Sequence, residues 1–234
     1  MLKLYGFGKA FSMVDASPFV VKVDLFLKLA AIEYQFIADF NALKKSPKNK
    51  LPFIEDKGKK IGDSAFILKY LTEKYQLTLD DELSIEQRAQ ANIYSKALDE
   101  SLYWCLVYSR WVKEDSWPVI KETFFGTLPA PLKWFVPGIV KKDVKKTLYR
   151  QGYGRHSESE LLSIADEHFS SLAVLLSDKP FFFGEKACSF DAVAYAFLAE
   201  FISVDFFNSF NQQARKYDNL VQYCQRIEAQ YYPN

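Results

Sequence analysis

The chain has 234 residues, 49% of them apolar and 25% charged. That balance suits a packed globular protein and excludes disordered, collagen-like and coiled-coil classes. Lys and Arg number 30 against 29 Asp and Glu, and a formal charge of +1 argues against a chain built to neutralise DNA or RNA phosphates. With 21 Phe and 14 Tyr, heavily aromatic buried faces or pockets are expected.

In chain order, Leu2 to Gly6 reads as a short strand ended by Gly6 and Gly8. Ser17-Pro18 then opens a helix in which Phe19, Val23, Phe26, Leu27 and Ala30 recur at helical spacing. Asp24 and Lys28 form an i,i+4 pair on another face. Tyr34 to Ala38 is a second strand candidate. Pro52 to Glu55 and Lys59 to Ile61 flank Asp56-Lys57-Gly58 as a hairpin. Asp63 caps the next helix, whose apolar positions are Phe66, Ile67, Tyr70 and Leu71. A β-α-β unit followed by β-β-α requires a mixed sheet, with a parallel crossover and an antiparallel hairpin.

Gln76 to Leu83 is polar and acidic and reads as a linker between a first domain, 1–76, and a second, 84–234. Beyond it nearly everything has helical spacing. Ser84 with Gln87 heads a run reaching about Glu114, and Ser157 with Glu160 heads another, both as capping boxes. Ala192 to Ala199 is apolar all round, as a buried central helix requires. Tyr217, Leu220, Val221, Cys224 and Ile227 make a last amphipathic helix. Between these lies 126–155, with Pro129, Pro131 and Pro137. From Lys133 to Arg155 it holds seven basic residues and one acid, Asp143. This segment fits a solvated helix face after a Pro-rich turn, or else a lid or an anionic contact surface.

Cys105, Cys188 and Cys224 are scattered and form no C-x-x-C, and only His156 and His168 are present, so neither a disulfide framework nor a metal site is expected. Cys105, Cys224 and His168 fit buried structural positions, and His156 an exposed or capping one. The start of the chain lacks a signal-peptide pattern, and Asp191 to Phe207 is broken by Glu200 and Asp205. The expectation is a soluble, cytoplasmic protein.

Three short elements carry chemistry. Ser17 at a helix N-terminus lies where free N–H groups favour an anion, and its hydroxyl can donate to a thiolate. Lys50-Leu51-Pro52-Phe53 is an ordinary strand entry or, with a cis Leu51–Pro52 bond, a segment whose backbone pairs with an extended peptide. Asp63-Ser64 is a helix cap that also suits an amino acid's ammonium and carboxylate.

In this order, Ser-Pro-Phe, Lys-Leu-Pro-Phe-Ile and Asp-Ser resemble the thioredoxin-like domain of glutathione transferases. Phe181 to Lys186, followed by a helix opening near Asp191, is similar to the second-domain signature of that family. Gly154-Arg155-His156-Ser157 with Glu160, together with Tyr103-Trp104 and Ser109-Arg110-Trp111, resembles the failed-axon-connections and metaxin-related branch. The resemblance implies an α/β thioredoxin-like domain with a mixed four-stranded sheet, followed by an all-α domain. It implies that glutathione is the co-substrate, with Ser17 bonded to its sulfur. Leu51, before cis Pro52, would pair with the cysteinyl backbone, Asp63 and Ser64 would hold the γ-glutamyl end, and Lys50 would approach the glycyl carboxylate. Tyr103, Trp104, Tyr108 and Trp111 would line a pocket for a small hydrophobic electrophile, or else form a core stripe. A homodimer is also implied. The other function implied within that branch is a non-catalytic binding module, in which 126–155 would matter most. Two departures stand out: Cys188 replaces the usual Ser or Thr cap of the central helix, and Phe7 to Ala16 is unusually long. Tyr5 is an alternative hydroxyl, placed in the first strand.

Overall fold

A computed structural model describes residues 1–233. Strands β1 (Leu2–Gly6), β2 (Tyr34–Ala38), β3 (Phe53–Asp56) and β4 (Lys59–Gly62) form one sheet in the order β2-β1-β3-β4. The β1–β2 pair is parallel, and the β1–β3 and β3–β4 pairs are antiparallel. This is the mixed sheet that the sequence requires. Helix α1 (Pro18–Leu29) makes the parallel crossover and α2 (Ser64–Tyr75) follows the hairpin.

The second half is helical: α3 (Ile85–Ala97), α4 (Tyr103–Trp111), α5 (Trp117–Phe125), α6 (Leu132–Gln151), α7 (Glu158–Leu176), α8 (Ser189–Ile202), α9 (Ser209–Ala214) and α10 (Asp218–Tyr231). Every residue of α8 from Phe190 onward is buried, and α8 packs along α1, so the two halves share one apolar core. Both predicted capping boxes close, at Ser84–Gln87 and Ser157–Glu160, and satisfy N–H groups that a helix start otherwise leaves orphaned.

The long run expected to reach Glu114 is interrupted. Leu98–Leu102 adopts a π-helical turn, and the helix stops at Trp111. The extra residue in that turn lets two neighbours point to different partners. Asp99 meets buried Lys22 of α1 at 2.9 Å, and Ser101 bonds Tyr153 Oη at 2.5 Å and His168 Nε2 at 2.7 Å. Burial holds the His168 imidazole below its ordinary pKa, which suits a neutral structural ring. The Asp24–Lys28 pair is present, but Asp24 is more than a partner for lysine. It is buried, accepts from Tyr34 Oη and, at 2.8 Å, from Tyr232 Oη, and Lys28 stands 3.9 Å away.

The acidic linker has a structural task. Asp80 accepts from Ser189 N at 2.8 Å and Ser189 Oγ at 2.6 Å, placing a carboxylate at the positive end of α8. Cys188, a weak cap, is answered by Asp191, which accepts from Cys188 N at 2.9 Å and Phe182 N at 3.1 Å. All three cysteines are free and buried, and burial raises each thiol above its ordinary pKa.

Candidate functional site

Strand register gathers the sequence-predicted residues at one end of the sheet. Tyr5 near the end of β1 opposes Phe53 at the start of β3, and Phe53 opposes Gly62 at the end of β4. The Leu51–Pro52 segment, Asp63–Ser64 and the connection from β1 to α1 therefore emerge along the same edge. Leu51 and Val20 belong to one small apolar cluster with Phe53 and Ala42, which seats Leu51 against the first turn of α1.

The Leu51–Pro52 peptide bond is cis. Leu51 itself is buried and lies outside the ladder. Its N–H and C=O make no hydrogen bond among the described residues. Unpaired main-chain donors and acceptors beside a sheet edge are what an extended peptide needs from its receptor. Lys50 is exposed, and its carbonyl accepts from Ser46 Oγ at 2.6 Å. Lys48, which sequence reasoning missed, stands closer to the acidic end, 3.7 Å from Asp63.

Asp63 caps α2 by accepting from Ala65 N at 3.0 Å and Phe66 N at 3.4 Å. It does so with φ at 79°, which a residue bearing a Cβ rarely adopts, while Ser64 is buried beside it. Asp63→Ala is expected to cost about 1 kcal/mol of stability through the lost cap. Asp63→Gly is expected to cost less, because glycine relieves the positive φ. Urea unfolding of the two variants gives the comparison.

Ser17 is the N-cap of α1, followed by Pro18, and is half-buried. Its hydroxyl makes no capping bond, so it remains available at the positive end of the helix. The anchoring is done instead by Asp15, a residue the sequence reading passed over. Buried Asp15 accepts from Ser17 N at 2.9 Å and from Gly8 N at 2.8 Å, pinning both ends of the β1–α1 connection. Gly6 makes this possible, since a Cβ there would lie 2.5 Å from the Asp15 carboxylate. Burial raises the Asp15 carboxyl to about 7, although the N–H donors oppose the shift.

The long connection folds back as a turn between Ala10 and Met13, with Phe11 and Ser12 at positive φ. Phe11 packs against Phe124 and Phe206 and lies 4.9 Å under the guanidinium of Arg110. Arg110, from α4, donates to Ala16 O at 2.8 Å and to the Glu200 carboxylate. The residue before Ser17 is thus held from the helical half of the molecule. Arg110 appears in the sequence only as part of a tripeptide, and nothing in its spacing announces Glu200, 90 residues away.

The four aromatic residues lie on the half-buried face of α4 but do not converge. Tyr103 packs on Phe19 of α1 at 4.8 Å and on Trp104 at 5.2 Å, close to the start of α1. Trp111 stacks on Phe124 at 5.4 Å. Tyr108 turns to Phe210 of α9, at the opposite edge from Tyr103, about 140° around the helix. Tyr5 stacks on Phe53 at 4.2 Å with its hydroxyl toward Glu55, so the first strand offers no competing hydroxyl at Ser17. Among the described residues no group of three or more His, Cys, Asp or Glu is placed to hold a metal ion.

Comparison with known proteins bears on the family and the fold. Residues 18–116 match the model of the glutathione S-transferase N-terminal domain, and 165–227 match that of the C-terminal domain. An isoprene-epoxide–glutathione S-transferase from Rhodococcus sp. (strain AD45) is 33% identical over 242 aligned positions, covering 99% of each chain. Failed axon connections from Drosophila melanogaster is 29% identical over all of this chain but only 59% of its own length, and human metaxin-2 is 24% identical over 90% of this chain and 80% of its own. Among solved structures, the beta-etherase LigF from Sphingobium sp. strain SYK-6 superposes with a TM-score of 0.67 at 18% identity, covering 97% of this chain and 95% of its own. With a four-stranded mixed sheet, a helical second half, both family models and a relative 33% identical over its full length, the chain belongs to the glutathione S-transferase superfamily.

Proposed function

We propose that the protein is a glutathione transferase whose Ser17 hydroxyl stabilises the glutathione thiolate for attack on a small hydrophobic electrophile. The observation that carries this reading is the uncommitted hydroxyl of Ser17 at the head of α1, on the sheet edge where the main chain of Leu51 is unpaired. Leu51 pairs with the cysteinyl backbone, Asp63 accepts from the γ-glutamyl ammonium, and the buried Ser64 hydroxyl reaches the neighbouring carboxylate. Lys48 and Lys50 meet the carboxylates electrostatically. Glutathione supplies the sulfur nucleophile, while the chain supplies orientation and a lowered thiol pKa. Tyr103, which packs on Phe19 two residues after Ser17, and Trp104 beside it form the wall for the electrophile. Trp111 and Tyr108, turned toward α5 and α9, lie outside this wall. A relative that acts on isoprene epoxide, similar over its whole length, favours epoxides among the candidate electrophiles. In this reading the protein works in the cytoplasm as a homodimer; among the described residues no helix is long and apolar enough to cross a membrane.

The test is calorimetric binding of glutathione, followed by turnover of an epoxide and of an aryl halide. Wild type is expected to bind and to turn over. Ser17→Ala is expected to keep its affinity while kcat/KM falls about a hundredfold. Failure of wild type to bind glutathione overturns the proposal. Binding without turnover across a broad electrophile panel favours a binding module of the kind implied by the failed-axon-connections resemblance.

A further inference from the structure

Helix α6 wears its apolar residues on the wrong side. Its inward face is narrow, with Pro137 and Leu148 buried. Leu132, Phe135, Ile139, Lys142, Lys146 and Tyr149 follow one another at alternating spacings of three and four, and all are exposed. They make a single solvent-facing line about 26 Å long. The first half of the line is apolar: Phe135 is 65% exposed and Ile139 66%, and Trp134 alongside is 72% exposed. The second half is cationic, with Lys145 and Arg150 flanking it.

Cations on the inner flank of the helix are neutralised within the molecule: Lys141 pairs with Glu114 at 3.0 Å and Lys133 with Glu122 at 3.5 Å. Lys142, Lys145, Lys146 and Arg150 form no ion pair among the described residues, although Lys145 adds to the field on Glu114, and Asp143 is the one acid on this face. A chain that is nearly neutral overall thus concentrates unpaired positive charge directly beside bare aromatic side chains.

We propose that this face of α6 is a docking surface for an anionic lipid bilayer, with Trp134, Phe135 and Ile139 entering the headgroup boundary and the lysines resting on phosphates. Three features select that occupant. The positive charge requires an anionic partner. The surface is a ridge rather than a groove, so a peptide finds no trough to lie in. A second copy meeting the same face about a two-fold axis would lay its apolar half over these cations and supply no anion for them, which disfavours self-association here. Apolar and aromatic residues beside lysines on one helix suit a side chain with one end in hydrocarbon and the other in water. The proposal is independent of glutathione chemistry, since α6 lies on the outer side of α4 and α5 and contributes none of the residues assigned to that site.

The test is co-sedimentation of the intact protein with vesicles of phosphatidylcholine alone, and with about 30% phosphatidylserine added as the anionic lipid. Wild type is expected to pellet only with the anionic vesicles. The triple variant Lys142→Glu, Lys145→Glu, Lys146→Glu is expected to lose roughly a hundredfold or more in partitioning. Trp134→Ser with Phe135→Ser is expected to bind about tenfold more weakly and to be released at lower salt. All five side chains are exposed, and an unchanged melting profile verifies that each variant folds. Absence of wild-type pelleting overturns the proposal, as does equal pelleting of the charge-reversed variant. Self-association abolished by the Trp134/Phe135 changes, with vesicles left unbound, assigns the face to a second copy and also overturns it.

Discussion

Arg110→Ala is expected to destabilise the fold by about 3–5 kcal/mol, more than any other single change at the site. Arg110 is buried, and its donors go to Ala16 O, Glu200 O and the Glu200 carboxylate, with Phe11 and Phe206 stacked around the guanidinium. Truncation strands a fully buried carboxyl whose Oε1 already lacks a partner, and it leaves the carbonyl next to Ser17 unpaired. Glu200 has its carboxyl raised to about 7, because burial outweighs the attraction of Arg110 and nearby Asp15 adds to the shift. In the alanine variant Glu200 therefore accepts a proton readily, so the loss is larger at pH 8 than at pH 5. Arg110→Met with Glu200→Leu removes both charges while keeping the volume, and is expected to cost far less than Arg110→Ala alone. Urea unfolding of the three proteins decides the matter; equal losses for the single and double variants would falsify the account. The double variant also separates stability from positioning. If it folds well yet has lost activity, the bond from Arg110 to Ala16 O is needed to set Ser17.

What was legible in the sequence is what local physics writes there. The strand Leu2–Gly6, the hairpin around Gly58, the two capping boxes and the all-apolar α8 follow from spacings of two and of three to four residues, and the structure has each of them. Order along the chain was legible too: strand register brings the segments carrying Ser17, Leu51–Pro52 and Asp63–Ser64 out at one end of the sheet. The residues that hold this edge in place were not. Asp15 looks like one acid in a loop, and only Gly6, nine positions earlier, makes room for it. Arg110 and Glu200 are separated by 90 residues and meet through the packing of α4 on α8, which no periodicity encodes. The aromatic cluster of α4 was legible as aromatic but not as divided, because Tyr103 and Tyr108 find different neighbours only once α1 and α9 are in place. The Pro-rich, basic segment left a solvated helix face, a lid and an anionic contact surface open, and the structure shows a helix with a largely exposed face. Its exposed Trp134 and Phe135 ran against the rule that large aromatic residues face inward.

Stability is expected to fall as the pH rises from about 4 through about 7, against the usual broad plateau near neutrality. Asp15 and Glu200 both have folded-state carboxyls raised to about 7. A carboxyl raised on folding contributes stability that is fully present below its unfolded pKa and is lost as the pH passes through the folded value. Both groups therefore act in the same direction in the same window, and they repel one another once ionised. Their combined effect is on the order of several kcal/mol. On the acid side the sign reverses. Glu158 is held below its ordinary pKa chiefly by Lys113, and Asp166 by Gln213 and Tyr217, and these contributions disappear as the pH drops. Maximum stability should therefore lie near pH 4, about where the unfolded carboxyls titrate. Glu200→Gln keeps an oxygen for Arg110 but cannot ionise, so its stability should decline roughly half as steeply between about pH 4 and about pH 7. A wild-type curve that stays flat over this range would sink the argument, as would an unchanged slope in the variant. The consequence for function is direct. Under the proposed function, thiolate chemistry is favoured at the alkaline end, where Asp15 becomes anionic two residues from Ser17 and would compete with a glutathione sulfur for the positive end of α1. Asp15 ionisation should thus set an upper limit on how far the thiol pKa is lowered, and the pH profile of kcat/KM should bend near 7 in wild type.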